Sequence, residues 1–454
     1  MLVAMIIYIV MLVGIGIYDF FRIKDFGDFA VAGKKQTFMR VFLSLMVTMI
    51  GASATIGVVD HVVQIGFPAF WWLGAGAIGL IFQAVFLSKK IRSLNANTLP
   101  DVAQKTIGTG GKILLASVIS VSWIGIIAAQ FVSIGKIIYV VMPEIDMQVI
   151  LTIIAVIVII YTLLGGQLSV IKTDNIQSWI IAAGILVTFI YLFATNGSVN
   201  MKILESINLL NNRFNSTDLM NMLFITGGAY FLGPDIISRN LVAKDGKTAQ
   251  KAVIASAIGL IFFSIIITLI GLWAVNVISV ETLNGQNPLI YIMDKYIPYP
   301  YTILLCLALI SALFSSADTC MINAASIIEH DLLMRDKVNE IRIIVCILGV
   351  AGLAVALFNT DIIGLLLRAY SFYVPGIVCP LFFAIWFCGK RSIYKPLWYI
   401  SVIAGSILGS INSFMGIGSE FLPLIGMGTS FVLAGTSVLM GKKIKKTNCL
   451  WGNV

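Results

Sequence analysis

The chain has 454 residues, of which 59% are hydrophobic and only 11% are charged. Soluble domains are charged at roughly a quarter of their positions, so this composition excludes a soluble enzyme, a disordered chain and a disulfide scaffold. Six scattered cysteines without a CxxC pair and two histidines indicate neither a zinc site nor haem chemistry. Most of the chain is therefore predicted to lie in lipid.

The apolar residues fall into stretches that are long enough to cross a bilayer, which takes roughly 20 residues as a helix. The pattern predicts an all-α integral membrane protein of about thirteen transmembrane helices. These spans 1 to 13 are centred in 3–20, 37–65, 69–88, 113–141, 147–165, 175–195, 216–237, 250–277, 299–328, 340–358, 361–388, 396–413 and 420–440.

The basic residues predict the orientation of these spans. With the N-terminus outside, 25 of the 30 Lys and Arg fall in inner loops and three in outer loops, while Lys136 and Arg368 lie inside spans. Such an excess on one side marks the cytoplasmic face. We therefore expect an outer N-terminus and a cytoplasmic C-terminus, and we read the net charge of +9 as loop topology rather than as a nucleic-acid surface.

Span 2 carries small residues through its middle, among them Gly51, Ser53 and Gly57. Glycine and serine permit local unwinding, which frees backbone carbonyl groups. Small residues also let two membrane helices pack closely without any unwinding. Both interpretations remain open for this span.

Span 7 has a stronger signal for a break, because Gly227, Gly228, Gly233 and Pro234 fall within eight residues. Proline removes a backbone donor and clashes with the preceding turn of a helix. Non-helical backbone at membrane depth is tolerated only where protein buries it or where it lines a cavity.

The two interrupted spans predict an internal repeat. They take first place in spans 2–6 and spans 7–11, and the odd offset of five gives the two groups opposite orientations in the membrane. Paired broken helices in inverted repeats are typical of secondary transporters with a site near the midplane. The predicted units are an extra first helix in 1–21, repeats in 37–195 and 216–388, and two extra helices in 396–441.

Span 9 supplies candidate ion ligands. At 100° per residue, Ser315, Ser316, Thr319 and Asn323 form one polar stripe, with Asp318 on its flank. Such a stripe faces protein or water rather than lipid, unless the hydroxyl groups only bond back to their own helix. Hydroxyl and carbonyl oxygens are hard ligands, which suit Na⁺.

Three further positions carry charge inside or beside spans. Asp174, near the cytoplasmic end of span 6, is either functional or the N-cap of a helix. Arg368 is the best candidate for binding a substrate carboxylate, although a snorkelling or acid-paired arginine is the alternative. Asp60 and His61 receive no role.

Several motifs together resemble the sodium:solute symporter family, in that family's order and over roughly residues 5–390. They are Thr98-Leu99-Pro100-Asp101, Gly165-Gly166 with Thr173-Asp174 and Gln177, Phe231 to Arg239 followed by Ala243-Lys244-Asp245, and Ala312 to Asp318. The resemblance implies a five-plus-five inverted repeat of the leucine-transporter type and Na⁺-coupled uptake.

The resemblance also implies the ion sites. A main Na⁺ site would use the carbonyl groups of Val47, Ile50 and Ala312 and the hydroxyl groups of Ser315 and Ser316. A possible second site, for Na⁺ or H⁺, would use Ser315, Asp318, Thr319 and Asp174.

The chain departs from the family's pattern at three places. Asp318 stands where relatives often have serine, and Gly-Pro-Asp stands at 233–235 where relatives have Gln-Pro-His. The glutamate and glutamine of the relatives' sugar site have no match, which argues against a sugar that resembles galactose.

We therefore expect an Na⁺-coupled symporter that imports a small organic solute, such as a carboxylate or a zwitterion, across the cytoplasmic (inner) membrane. H⁺ coupling through Asp318 and Asp174 and a solute sensor without transport are the alternatives. A membrane enzyme would need a cluster of acids or histidines at the interface, and the sequence of the short, basic inner loops shows none, so an enzyme is not expected. No obligate protein partner is expected, and the surroundings are membrane lipid. The expected solute wall is Gly51, Ser53, Trp71, Gln130, Thr226, Tyr230, Arg368 and Ser371.

Overall fold

The computed structural model describes residues 2–195, 203, 205–283, 286–415 and 421–442. These residues form helices joined by short loops, and no strand occurs among them beyond two isolated bridges. The predicted all-α class is thus confirmed. Lys202, Lys443, Lys445 and Lys446, which were counted with the loop residues, lie outside the described residues.

Helices occupy all thirteen predicted stretches. The long ones and the pieces of broken ones are Leu2–Phe20, Phe38–Met49, Val58–Ile65, Trp71–Phe86, Thr109–Val141, Met147–Thr195, Ser216–Asn221, Gly227–Leu232, Pro234–Val242, Gly246–Val277, Tyr301–Ile327, Val338–Phe358, Ile362–Phe387, Lys395–Met415 and Leu422–Leu439. Short helices between them include Phe26–Val31, Ser88–Ser93, Leu99–Thr106, Val280–Leu283 and Pro288–Lys295.

By length and hydropathy alone, nine helices of the described residues could cross a membrane, or ten if the bent pair in span 2 is one span. The difference from thirteen arises chiefly where spans are joined or broken. Met147–Thr195 has 49 residues with non-helical backbone at Gly166. At 1.5 Å per residue it is about 74 Å long, more than twice the hydrocarbon thickness. Thirteen passes, the orientation and the repeat boundaries stay predictions.

The break in span 2 lies at Ile50–Ala52. The helix Phe38–Met49 ends there, and Ser53–Ile65 continues at an angle of 59° to it, opening with a π-helical turn over Ser53–Gly57. A Cβ atom on Gly51 would lie 2.6 Å from the Ser316 hydroxyl oxygen. Unwinding and close packing therefore occur together at this point.

The break in span 7 is narrower than its glycines predicted. Gly227 and Gly228 stay helical, and the chain is extended only at Gly233, before Pro234–Val242 begins. A Cβ atom on Gly79 of span 3 would lie 2.1 Å from the Gly227 carbonyl oxygen. The predicted break is confirmed, but the glycine pair serves the contact between spans 3 and 7.

Span 9 runs through the middle of the protein. It packs against span 2, span 4 and the long helix Met147–Thr195, and every residue from Ala308 to Ile327 is buried. Its polar stripe therefore faces protein, as predicted. This packing places the stripe beside the break in span 2.

Candidate functional site

The Ser316 hydroxyl lies at the break in span 2. It donates a hydrogen bond to the Thr48 carbonyl oxygen at 3.4 Å. On the other side of the break, the Gln130 side-chain oxygen accepts from the Ala52 N–H at 3.4 Å. The groups around the unwound turn are thus neutral oxygens and amides, which is a donor set suited to a hard monovalent cation.

The other residues of the expected main Na⁺ site are buried close to this point. The Val47 carbonyl oxygen accepts from the Ile50 N–H at 3.2 Å, so it still takes part in the end of the helix. Ala312 lies one turn before Ser316 on span 9. The Ser315 hydroxyl donates to Asp174 at 2.5 Å, and its oxygen keeps lone pairs for a cation. The residues present fit Na⁺.

Asp174 lies inside the helix Met147–Thr195, so the N-cap interpretation is wrong. Its carboxylate accepts hydrogen bonds from Ser44 and Ser315. Arg239 forms an ion pair with it, with 3.3 Å between Nη2 and Oδ2, and both side chains are fully buried. A charge at this depth requires such a partner, because burial of an unpaired carboxylate is costly.

Arg239 lies in a helix rather than in a loop, and its side chain is fully buried. The half-helix Pro234–Val242 starts at the break, and its nine residues rise only about 13 Å, less than half of a bilayer's hydrocarbon core. The guanidinium also donates to Ser44 at 3.0 Å and to Thr319 at 2.7 Å. A fixed positive charge therefore stands between two of the residues expected to hold a second cation.

Asp318 is fully buried, and within the described residues neither of its carboxylate oxygens has a hydrogen-bond partner of ordinary geometry. The Tyr161 hydroxyl and the Thr319 N–H lie beside it, and Asp174 is close enough for charge repulsion. A carboxylate in this position is stable when it is protonated or when it holds a cation.

Three of the expected solute-wall residues meet at the break in span 2. Gly51 and Gln130 lie side by side there, and the Tyr230 hydroxyl donates to the Met49 carbonyl oxygen at 3.5 Å. Thr226 and Ser371 are buried, and Ser53 is partly exposed.

The two remaining wall candidates lie elsewhere. The Trp71 indole donates to the Leu209 carbonyl oxygen of the loop before span 7, at 3.1 Å. Arg368 is exposed and lines a cavity of about 530 Å³ together with Phe358, Asn359 and Phe372. No residue of either break lines that cavity. The structure does not bring Arg368 to the breaks.

Sequence reasoning assigned no role to two groups that the structure places at the centre. One is Arg239, and the other is Asp235, which accepts hydrogen bonds from Trp123 and Asn323. Their position in the sequence could have indicated this. Both residues follow the predicted break by fewer than the roughly ten residues that half of a membrane span takes.

Comparisons with known proteins agree with this architecture. Residues 29–392 match the family model described as "Sodium:solute symporter family". The chain is 24% identical to the high affinity choline transporter 1 of Homo sapiens over 430 residues, covering 84% of this chain and 72% of that protein. It is 22% identical to the sodium/proline symporter of Haemophilus influenzae over 455 residues, covering 91% of this chain and 87% of that protein.

A solved structure shares the fold along nearly the whole chain. It is the substrate-bound outward-open state of a Na⁺-coupled sialic acid symporter, with a TM-score of 0.77 and 16% identity, covering 97% of this chain and 98% of that one. The family match spans most of the chain, and the resemblance inferred from the motifs is confirmed. The chain belongs to the sodium:solute symporter family and is a membrane transporter, not an enzyme.

Proposed function

We propose that this protein is an Na⁺-coupled symporter that imports a small organic solute by alternating access. The observation that carries the proposal is the contact between the Ser316 hydroxyl and the unwound turn of span 2, 3.4 Å from the Thr48 carbonyl oxygen. An ion bound by carbonyl groups of the broken span 2 and by a hydroxyl group of span 9 can hold these two helices together. The ligands proposed are Val47, Ile50, Ala312, Ser315 and Ser316.

The proposed cycle follows from this arrangement. Na⁺ enters from outside and holds span 2 against span 9, which favours the state that is open outward. Solute then binds beside the ion, the outer side closes, and one group of helices rocks against the other around the fixed site. The proposal includes a location in the bacterial inner membrane, with the basic loops on the cytoplasmic side.

The driving force is sufficient for concentrative uptake. A tenfold Na⁺ gradient supplies about 1.4 kcal/mol. A membrane potential of about 100 mV adds about 2.3 kcal/mol per charge. One Na⁺ per cycle thus supports solute accumulation of roughly a few hundredfold, by the same arithmetic.

The proposed solute site lies next to the ion. Gly51, Gln130 and Tyr230 meet there, with Ser53, Thr226 and Ser371 as further wall residues. Trp71 is assigned to the outer rim because it contacts the loop before span 7. We do not place Arg368 in the site, since no residue of either break lines its cavity.

Proton coupling is the second candidate, and Asp318 is the observation that favours it. Arg239 already supplies a positive charge beside Asp174 and Thr319. The carboxylate of Asp318 has no such partner among the described residues, and it is fully buried. We propose that Asp318 takes up a proton while the main site binds Na⁺. A second Na⁺ held by Asp318, Asp174 and Thr319 would first have to displace Arg239 from the last two residues.

The test is uptake into sealed proteoliposomes with an inward Na⁺ gradient, against a K⁺ gradient of equal ionic strength. The probes are radiolabelled L-proline, choline and sialic acid, named for the relatives' solutes, together with a set of neutral amino acids. We expect at least one probe to accumulate above its equilibrium level with Na⁺ and to leak out when an ionophore collapses the gradient. Equal accumulation with a pH gradient and no Na⁺ would support the proton candidate and contradict Na⁺ coupling.

A further inference from the structure

Asp235 is an acidic side chain within the predicted span 7 that the Na⁺ mechanism does not use. It lies in the first turn of Pro234–Val242, directly after the break at Gly233, and it is partly exposed while Leu232 and Ile237 beside it are buried. Acidic side chains within membrane spans are costly to insert, and they typically mark sites for ions or ligands. A side chain with this cost and with an accessible face points to a ligand.

The hydrogen bonds of Asp235 favour an ionised carboxylate. The Trp123 indole N–H is 3.2 Å from each oxygen, and the Asn323 amide donates at 2.7 Å. The Cys320 thiol makes a longer contact of 3.5 Å. An indole N–H can only donate, so the carboxylate accepts from it.

No described lysine or arginine forms an ion pair with Asp235. Arg239, one turn further along the helix, is bound to Asp174, Ser44 and Thr319 instead. The helix N-terminus offsets about half a charge. When it is ionised, the carboxylate therefore lacks an ion partner among the described residues, and a mobile cation can take that place.

Aromatic side chains lie beside this carboxylate. The Trp123 and Tyr373 rings pack edge to face, with 5.2 Å between centroids and 74° between planes. The Tyr373 hydroxyl donates to the Leu232 carbonyl oxygen at the break in span 7, which fixes that ring. Tyr370 is also close enough to Asp235 for an electrostatic interaction. A carboxylate can pair with an ammonium group, and neighbouring aromatic rings can add cation–π contacts where a solute reaches their faces.

We propose that Asp235 binds the positively charged nitrogen of the solute, so that the solute is an organic cation or a zwitterion with an ammonium group. This inference rests on the function proposed above and names its substrate class. Cys320 and Asn323 lie one and two turns beyond Ser316 on span 9, on the predicted cytoplasmic side. Asp235 thus forms the floor of the solute site, and the neutral wall of Gly51 and Gln130 lies above it.

Binding to the purified full chain in saturating Na⁺ tests this inference, with pairs of probes that differ in the charged nitrogen. One pair is choline and 3,3-dimethylbutan-1-ol, and another is L-proline and cyclopentanecarboxylate. We expect thermal stabilisation by the ammonium member of at least one pair and none by its carbon isostere. Equal stabilisation by the isostere, or no response to any ammonium probe while Na⁺ still stabilises the protein, would overturn the proposal.

Asp235→Asn keeps the size of the side chain and removes its charge. We expect it to weaken binding of the responding ammonium probe roughly tenfold or more. Stabilisation by Na⁺ should persist in this variant, which shows that it is folded and separates this inference from the Na⁺ site. Asp294→Asn is the matched control and should bind as the wild type does, because Asp294 is exposed and its ion pair within the described residues is with its neighbour Lys295.

Three outcomes with the variant would overturn the inference. The first is an unchanged affinity for the ammonium probe in Asp235→Asn, and the second is an equal loss of affinity in Asp294→Asn. The third is a binding affinity that loses its dependence on pH in Asp235→Asn but does not fall, which would assign a proton to Asp235. If Asp235→Asn does not fold, the comparison of isosteres on the wild type still decides the question.

Discussion

Both broken helices of this transporter interrupt a predicted span, but chemically different groups lie at the two breaks. The break in span 2 bends the helix by 59° and is lined by neutral groups, chiefly the Ser316 hydroxyl and the Gln130 amide. The break in span 7 is confined to Gly233 and is followed at once by two charged side chains, Asp235 and Arg239. One break offers oxygen ligands, and the other offers fixed charge.

The difference teaches how an ion and a solute can be told apart within a few turns of helix. A neutral ring of oxygens selects a small cation by coordination. An ionised carboxylate beside aromatic rings selects a larger, more diffuse positive charge. Arg239 belongs to the break in span 7, where it forms an ion pair with Asp174, while Asp235 has no ion partner among the described residues.

Arg239→Gln is expected to have the largest effect on this comparison. It leaves the Asp174 carboxylate buried without its ion partner, which costs about 3–5 kcal/mol. The measurement is thermal stability of the protein in detergent. Adding Asp174→Asn to the same chain should restore most of the loss, because both charges are then gone. A single variant as stable as the wild type, or a double variant no better than the single one, would contradict the ion-pair assignment.

Gly79→Ala tests whether the glycine pair of span 7 packs rather than unwinds. The new methyl group would lie 2.1 Å from the Gly227 carbonyl oxygen, so spans 3 and 7 must move apart. We expect a loss of about 1–3 kcal/mol in stability, typical of overpacking. Gly428→Ala is the control, since no atom lies within 4 Å of a Cβ atom there. Equal stability of the two variants would show that the contact is not tight.

Gly51→Ala acts on the neutral break. Its methyl group would lie 2.6 Å from the Ser316 hydroxyl oxygen and would push that ligand away from the unwound turn. We expect a drop in apparent Na⁺ affinity of roughly tenfold, or about 1.4 kcal/mol. Gly57→Ala, in the same helix, meets neighbours only at 3.5 Å and beyond and should leave Na⁺ affinity unchanged. If both variants bind Na⁺ as the wild type does, Ser316 is not a ligand.

Arg368→Gln should have the smallest effect. The side chain is exposed and lines a cavity that no residue of either break shares. We expect solute affinity within about twofold of the wild type, since surface changes are within about 0.5 kcal/mol. The measurement is concentration-dependent uptake of whichever probe accumulates. A large loss of affinity would return Arg368 to the solute site.

Most of the fold could be predicted from the sequence, because span length and glycine-proline signals act locally. The predicted break in span 7 was found at Gly233, and the stripe on span 9 faces protein as its periodicity indicated. The sequence could not decide whether span 2 unwinds or packs closely, since glycine permits both. Gly51 does both.

The site was less predictable because its charges are set by tertiary contacts. Arg239 lies in a helix rather than in a predicted loop, since a count of charges by side does not show how far a helix continues after a break. The sequence allows two interpretations of Asp174, a helix cap and a functional site. Only the tertiary structure shows that it lies within a helix, beside Ser44 and Ser315. The distance of Arg368 from the breaks depends on which way span 11 is rotated, which no local pattern specifies.

The most direct test of the central claim is thermal stability of the purified protein titrated with Na⁺, against K⁺ at constant ionic strength, in the wild type and in Ser316→Ala. A ligand that prefers the folded state raises stability in a saturable way. The account predicts Na⁺-specific stabilisation of the wild type and a shift of the half-saturating Na⁺ concentration to higher values in Ser316→Ala. Stabilisation by Na⁺ and K⁺ alike, or identical titrations for the two proteins, would contradict an Na⁺ site between the broken span 2 and span 9.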